Sequence, residues 1–285
     1  MTGRDACAMS RTHGIHLVAA IGLAVTLLSS FEAGTAAQER KFVQPKDREN
    51  PLNKLISGYY FSSLETRSLQ DDDFDNPGFR WVQQGEGLWT NAEGGAQKSC
   101  SSCHGSASDS MRGKAAGYPK FEQGAGRLIN FEQRINTCRE EKMQAPPWAY
   151  GSDELLAMTA FLRMQSRGIP VNVRVDGSAK PGFDAGKQLY NSRIGQLGLS
   201  CALCHNRHQG QSFRGVLISQ GHSNGFPAYQ AEAKKFVSLH GRFDACFGVM
   251  RAEPFAAGST DYVALELYLA WRGNGLPIET PAVRP

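Results

Sequence analysis

Two stretches of the 285-residue chain repeat one spacing of cysteine and histidine: Cys100-Ser101-Ser102-Cys103-His104 and Cys201-Ala202-Leu203-Cys204-His205. Two thiols separated by two residues can add to both vinyl groups of one haem, and the histidine that follows then lies under the iron as proximal ligand. A structural zinc site needs further Cys or His at ligand spacing, and a redox dithiol needs a thioredoxin-like βαβ setting. The sequence offers neither. The expectation is two covalently bound haem c groups, held by Cys100, Cys103, Cys201 and Cys204, with His104 and His205 as proximal metal ligands.

The chain has seven cysteines, and Cys7 sits in its N-terminal segment. That leaves two singletons, Cys138 and Cys246, which lie 34 residues after His104 and 41 residues after His205. Each closes an Arg-x-x-x-Cys element, Arg134 to Cys138 and Arg242 to Cys246. Their equivalent placement makes them candidate distal ligands. A thiolate on ferric iron is electron-rich and lowers the reduction potential. The alternative is a disulfide between them, which would bring equivalent sites of two repeats together. Met111, Met143, Met158, Met164 and Met250 are the methionine candidates for the distal position. Met158 and Met164 read as core residues of a helix. His208, His222 and His240 are further candidates at the second site, each ranked below Cys246.

The repeat extends beyond the motifs. Pro146 and Pro254 stand eight residues after the singleton cysteines, and Asp153 and Asp261 fifteen residues after. Apolar residues then recur at three- and four-residue steps, Leu155-Leu156-Met158-Phe161-Leu162 and Tyr262-Val263-Leu265-Leu267-Leu269, which predicts amphipathic helices. Ser152 or Asp153, and Thr260 or Asp261, are the expected N-caps. Gly168-Ile169-Pro170 and Gly275-Leu276-Pro277 end the two helices. Asp184 to Tyr190 predicts a helix before the second motif, whereas Gly85 to Gly95 before the first is less clearly helical. The fold class expected is mainly α: two tandem class I cytochrome c-like domains, at 79–170 and 181–285, joined by a Pro/Gly-rich linker from about Gly168 to Pro181. An N-terminal extension, 38–78, contains a short helix within Leu52 to Leu69 and packs on the first domain.

Composition bounds the rest. With 41% hydrophobic and 20% charged residues the chain is globular, and a formal charge of +4, evenly spread, gives no nucleic-acid footprint. Arg4 and Arg11, the apolar run from His16 to Leu28, and Thr35-Ala36-Ala37 read as a signal peptide over 1–37, which places the mature chain in the periplasm. The run is short for a membrane span, and no second one follows.

Arg242-Phe243-Asp244-Ala245-Cys246 followed by Met250-Arg251-Ala252-Glu253-Pro254 closely resembles the SoxA family, the dihaem subunits of the SoxAX cytochromes of bacterial thiosulfate oxidation. The resemblance runs from about Asn76 to Pro277. Monohaem relatives lack the first C-x-x-C-H, which this chain keeps. The resemblance implies that Cys246 is both distal ligand and catalytic residue, carried as a persulfide, and that Cys138 is a plain thiolate ligand. It implies that Arg242 lies in a basic channel for thiosulfate, with Arg251 adding to the field; clamping a haem propionate is the other reading of Arg242. It further implies an L-cysteine S-thiosulfotransferase that couples thiosulfate to a cysteine of the carrier SoxY (within SoxYZ), with SoxX, a monohaem cytochrome c, as electron-accepting partner. A thiosulfate dehydrogenase that makes tetrathionate and a passive dihaem electron carrier are the competing readings.

Overall fold

The computed structural model describes residues 42–285. The signal peptide expected over 1–37, with Cys7, lies outside them. The described residues fold as one compact unit. Its framework is two pairs of crossing helices. In the first half α1 (Leu64–Asp71) precedes α2 (Phe79–Thr90), the motif helix α3 (Cys100–His104), α4 (Phe131–Cys138) and α5 (Asp153–Met164). In the second half α6 (Lys180–Asn191) precedes the second motif, followed by α7 (Leu239–Met250) and α8 (Thr260–Arg272). The mainly α, twice-repeated layout is the one expected, and α2 supplies the helix whose pattern was weak.

Two glycines set the helix crossings. A Cβ on Gly85 would lie 2.2 Å from the Ala157 carbonyl oxygen, and one on Gly186 would lie 2.0 Å from that of Ala264. Only glycine lets α2 reach α5, and α6 reach α8, at this distance. Around the crossings Leu155, Met158, Tyr190, Leu265 and Tyr268 are buried in one continuous core that draws on both halves. The repeat ends pair with each other: Gly168 N–H donates to Ile278 O, and Val171 N–H to Leu276 O, both at 2.9 Å. The segment expected to be a linker is therefore bonded to the end of the second repeat over its first residues.

The extension corrects an expectation. Its helix is present as α1, but the segment is fastened mainly to the second repeat, not the first. Leu52 and Leu55 are buried against Leu276. Ile56 N–H donates to Gln220 Oε1 at 2.7 Å, Ser57 Oγ–H to Glu279 Oε1 at 2.6 Å, and Trp271 Nε1–H to Asp47 Oδ2 at 3.1 Å. The apolar end of the second repeat is what these leucines cover.

Strands are short. Among the described residues the largest sheet has β1 (Ala228–Gln230) between β2 (Lys235–Val237), antiparallel, and β3 (Ala282–Arg284), parallel. The C-terminal strand thereby locks onto the segment leading into α7.

Candidate functional site

Both motifs begin on a capped turn. Ser99 Oγ accepts from Ser102 N–H and Ser200 Oγ from Leu203 N–H, so each pair of cysteines enters on a capped helical turn. The approach segment closes on itself through the bridges Glu93–Lys98 and Ile194–Leu199. It is then tied to the residues after the singleton cysteine. Ala96 N–H donates to Met143 O and Gly95 N–H to Gln144 O, and the same pair recurs as Leu197 to Met250 and Gln196 to Arg251. Gln144 and Arg251 both adopt left-handed backbone, φ +55° and +52°.

This correspondence shifts the repeat by one residue after the cysteines. Cys246 and Met250 share the regular helix α7, whereas α4 runs on into a π-helical turn, Arg139–Met143, that inserts one residue after Cys138. Ser152 and Ser259 are therefore the equivalent N-caps, each accepting from the amide three residues on. Pro254 corresponds to Pro147, and the equal spacing of Pro146 and Pro254, and of Asp153 and Asp261, is one residue out of step. Ser259 was not among the expected caps.

Cys246 and Arg242 lie one turn apart on the same face of α7. Burial raises the Cys246 thiol above its ordinary range; the Arg242 guanidinium opposes this and Cys204 reinforces it. Cys201 is pushed up to about 12 by burial, with Cys246 adding to the shift. The three thiols thus share one site. Cys138 stands in the same relation to the first motif. Burial raises its thiol, with Arg134 opposing and Cys103 reinforcing, while Cys100 is pushed up to about 11 by burial and then by Cys138. All six described cysteines are free thiols, so Cys138 and Cys246 are not joined.

The two motif histidines differ. His205 Nδ1 lies 2.8 Å from Ser219 O, and burial holds its basicity down to about 4. The neutral ring donates Nδ1–H to that carbonyl and keeps the Nε2 lone pair for a metal. Gly221 (φ +70°) presses on the ring from the same loop; a Cβ there would stand 2.9 Å from His205 Cγ. His104 is exposed and stacks on Trp89 with centroids 5.9 Å apart. The other described histidines are engaged elsewhere: His208 with Gln211, His222 with Gln220, and His240 with Glu266.

The rims differ too. Beside Cys138, Arg139 is buried, pairs with Glu93 at 2.9 Å and lies 3.6 Å from the centre of the Trp148 ring. The equivalents in the second half are Phe247 and Ile194. No ion pair closes that rim, and an open cavity of about 480 Å³ is lined by Ile194, Phe247, Arg251 and Phe255. Arg242 itself is exposed and donates from Nη1 to Gln230 Oε1 at 3.0 Å. Neither the rim difference nor Ser219, Gly221 and Gln230 could be singled out by spacing. Comparing residues 93 and 139 with 194 and 247 would have exposed the first.

These residues fit haem c. Two free thiols per motif stand ready for thioether bonds, a histidine with Nε2 unengaged follows, and a sulfur donor faces the second motif across the site. Among the described residues no group of three or more His, Cys, Asp or Glu side chains is arranged to hold a bare metal ion. No helix of the described residues is long and apolar enough to cross a membrane.

Comparison with known proteins agrees. Residues 84–171 and 185–278 each match the SoxA/TsdA cytochrome c domain family. The L-cysteine S-thiosulfotransferase subunit SoxA of Rhodovulum sulfidophilum is 41% identical over 240 residues, 84% of each chain. That of Pseudaminobacter salicylatoxidans is 43% identical over 236 residues, 82% of each. That of Paracoccus pantotrophus is 37% identical over 286 residues, 96% of this chain and 98% of the relative. In the crystal structure of SoxXA from P. pantotrophus, one chain superposes with a TM-score of 0.83 at 40% identity, covering 86% of this chain and 93% of that one. With both repeats matched and the fold shared, the chain belongs to the SoxA family of cytochromes c.

Proposed function

We propose that this chain is a dihaem subunit that oxidatively couples thiosulfate to a cysteine thiol of a SoxY-type carrier and passes the electrons to a SoxX-type monohaem cytochrome c in the periplasm. Cys100 and Cys103, and Cys201 and Cys204, would carry the haems, and His104 with Cys138 and His205 with Cys246 would hold their irons. The observation that carries the reading is Cys246 and Arg242 on one face of α7, beside the second motif and next to the open cavity with Arg251 on its wall. The relatives' shared name gives the reaction class.

Arg242 and Arg251 offer planar, permanently charged donors to the thiosulfate dianion. Cys246 supplies, as its thiolate, the sulfur that takes the sulfane end: a new S–S bond forms between them and two electrons are released. Haem c at the site would accept one electron and hand it to the SoxX-type cytochrome, whose haem would take the second in turn. The carrier thiolate then displaces Cys246 and departs as a cysteine S-thiosulfonate, with no further electron change. Apolar Ile194 and Phe247 keep the rim open, where Glu93 and Arg139 close the first site. The second site is therefore assigned to the reaction and the first to electron storage.

Cys246→Ser tests this. The expected result is both haems attached and thiosulfate coupling reduced at least about a thousandfold. Unchanged turnover sinks the assignment, and tetrathionate formed without carrier protein favours the dehydrogenase reading.

A further inference from the structure

Arg272 closes α8 with no exposed surface, the bulkiest fully buried side chain described. Its Nη1–H donates to Gln220 O at 2.8 Å and its Nη2–H to Asn206 Oδ1 at 2.6 Å. The guanidinium lies 4.5 Å from the centre of the Tyr190 ring, whose hydroxyl also donates to Asn206 Oδ1. Nε has no partner. No carboxylate of the described residues forms an ion pair with it. Arginine does not lose its charge on burial, so a whole positive charge sits here uncompensated, which is a costly arrangement.

Its position gives the charge a role. Asn206 directly follows His205, and Gln220 directly follows Ser219, whose carbonyl holds His205 Nδ1. Arg272 therefore ties together both strands of chain that frame the proximal histidine. The first repeat has nothing of the kind. Gln165 stands where Arg272 does and bonds to Phe161 O of its own helix, Trp89 replaces Tyr190, and Gly105 replaces Asn206.

We infer that Arg272 is a positioning and tuning residue of the second site, whose buried charge raises the reduction potential of the haem held at Cys201 and Cys204. The inference rests on the reading that this motif carries haem. Reduction from ferric to ferrous adds one electron and lowers the local charge by one, while Arg272 keeps its protons in both states. A fixed positive charge in a low-dielectric setting favours the reduced form. The site that releases electrons during sulfur coupling thereby has a better acceptor beside it than the same ligands alone would give.

The test is a spectroelectrochemical titration of the haem-loaded protein, with magnetic circular dichroism to separate the two haems, and peptide mass to confirm attachment. In Arg272→Gln the second haem should become harder to reduce, by about tenfold in its reduction equilibrium constant, with the first unmoved. Arg272→Lys, which keeps the charge, should stay near the parent. Equal shifts in both variants would reveal a packing role only, and no shift in Arg272→Gln would also overturn the inference. Should Arg272→Gln not accumulate, Asn206→Asp places a carboxylate against the intact guanidinium. The second haem should then again become harder to reduce, and an unmoved midpoint overturns the inference. A parent protein without haem on the Cys201–Cys204 peptide would instead overturn the haem reading itself.

Discussion

Gly221 shows how one residue can decide whether the second motif functions. It combines left-handed backbone with direct apposition to the His205 ring. Alanine there meets two penalties: about 1 kcal/mol or more for the backbone, and a Cβ inside the contact distance of the imidazole. The ring must turn or the loop must lift, and either breaks the Ser219 hydrogen bond that orients Nε2. Gly221→Ala is expected to lower haem content from two towards one per chain, read by pyridine haemochromogen assay, while haem on the Cys100–Cys103 peptide persists. Full loading with an unchanged spectrum would show that the loop yields without cost. Nothing in the sequence marks this glycine among the 31 the chain contains, because its role arises only when residue 221 folds back over residue 205.

The helix crossings carry the next level of specification. At Gly186 the Cβ position is filled by backbone of α8, which no side-chain rotamer can vacate. Gly186→Ala should therefore push α6 and α8 apart and cost about 2–3 kcal/mol. Gly87 is exposed on α2 with nothing within 4 Å of its Cβ position. Gly87→Ala should instead stabilise by about 0.5–1 kcal/mol through helix propensity. Denaturation midpoints of the two haem-loaded variants should move in opposite directions; a shared sign would refute the packing argument. Much at this scale was legible in the sequence. The motifs, the Arg-x-x-x-Cys elements, the Ser152 cap and the apolar periods of α5 and α8 all depend on local spacing. The weak pattern of α2 has a physical reason, since Gly85 and Gly87 depress its propensity while Gly85 is what its packing requires. The π-helical turn after Cys138 stayed hidden, because an inserted residue that leaves Pro146 and Asp153 at matching counts is invisible to spacing.

At the scale of the molecule, the two repeats meet over a buried polar cluster. Asn130 Nδ2–H and His240 Nε2–H both donate to Glu266 Oε2 at 3.1 Å, and Gly258 N–H donates to His240 Nδ1 at 3.0 Å. Burial works against a charge on His240, but the hydrogen bond to Glu266 and the nearby Glu266, Glu132 and Asp244 carboxylates outweigh it and raise its pKa. Glu132, from the first repeat, and Arg163 join Glu266 around an internal cavity of about 10 Å³, space for one water. Neither carboxylate appears in the hydrophobic pattern of its helix, so the cluster is a product of tertiary packing. Burial, and then repulsion from Glu266, pushes the Glu132 carboxyl up to about 7, with His240 and Arg163 opposing. The folded chain therefore keeps a proton that the unfolded chain releases near 4.5. For a carboxyl raised in this way stability is highest below the unfolded value, falls as pH rises towards about 7 and is level above it, a loss on the order of 3 kcal/mol. Glu132→Gln, which mimics the protonated acid, should remove this slope: little change in denaturation midpoint at pH 5, and a gain of about 2–3 kcal/mol at pH 8. A variant as pH-sensitive as the parent between pH 5 and 8 would mean that Arg163 holds Glu132 ionised in the native state, and that the first repeat presents an ion pair instead of a retained proton to Glu266.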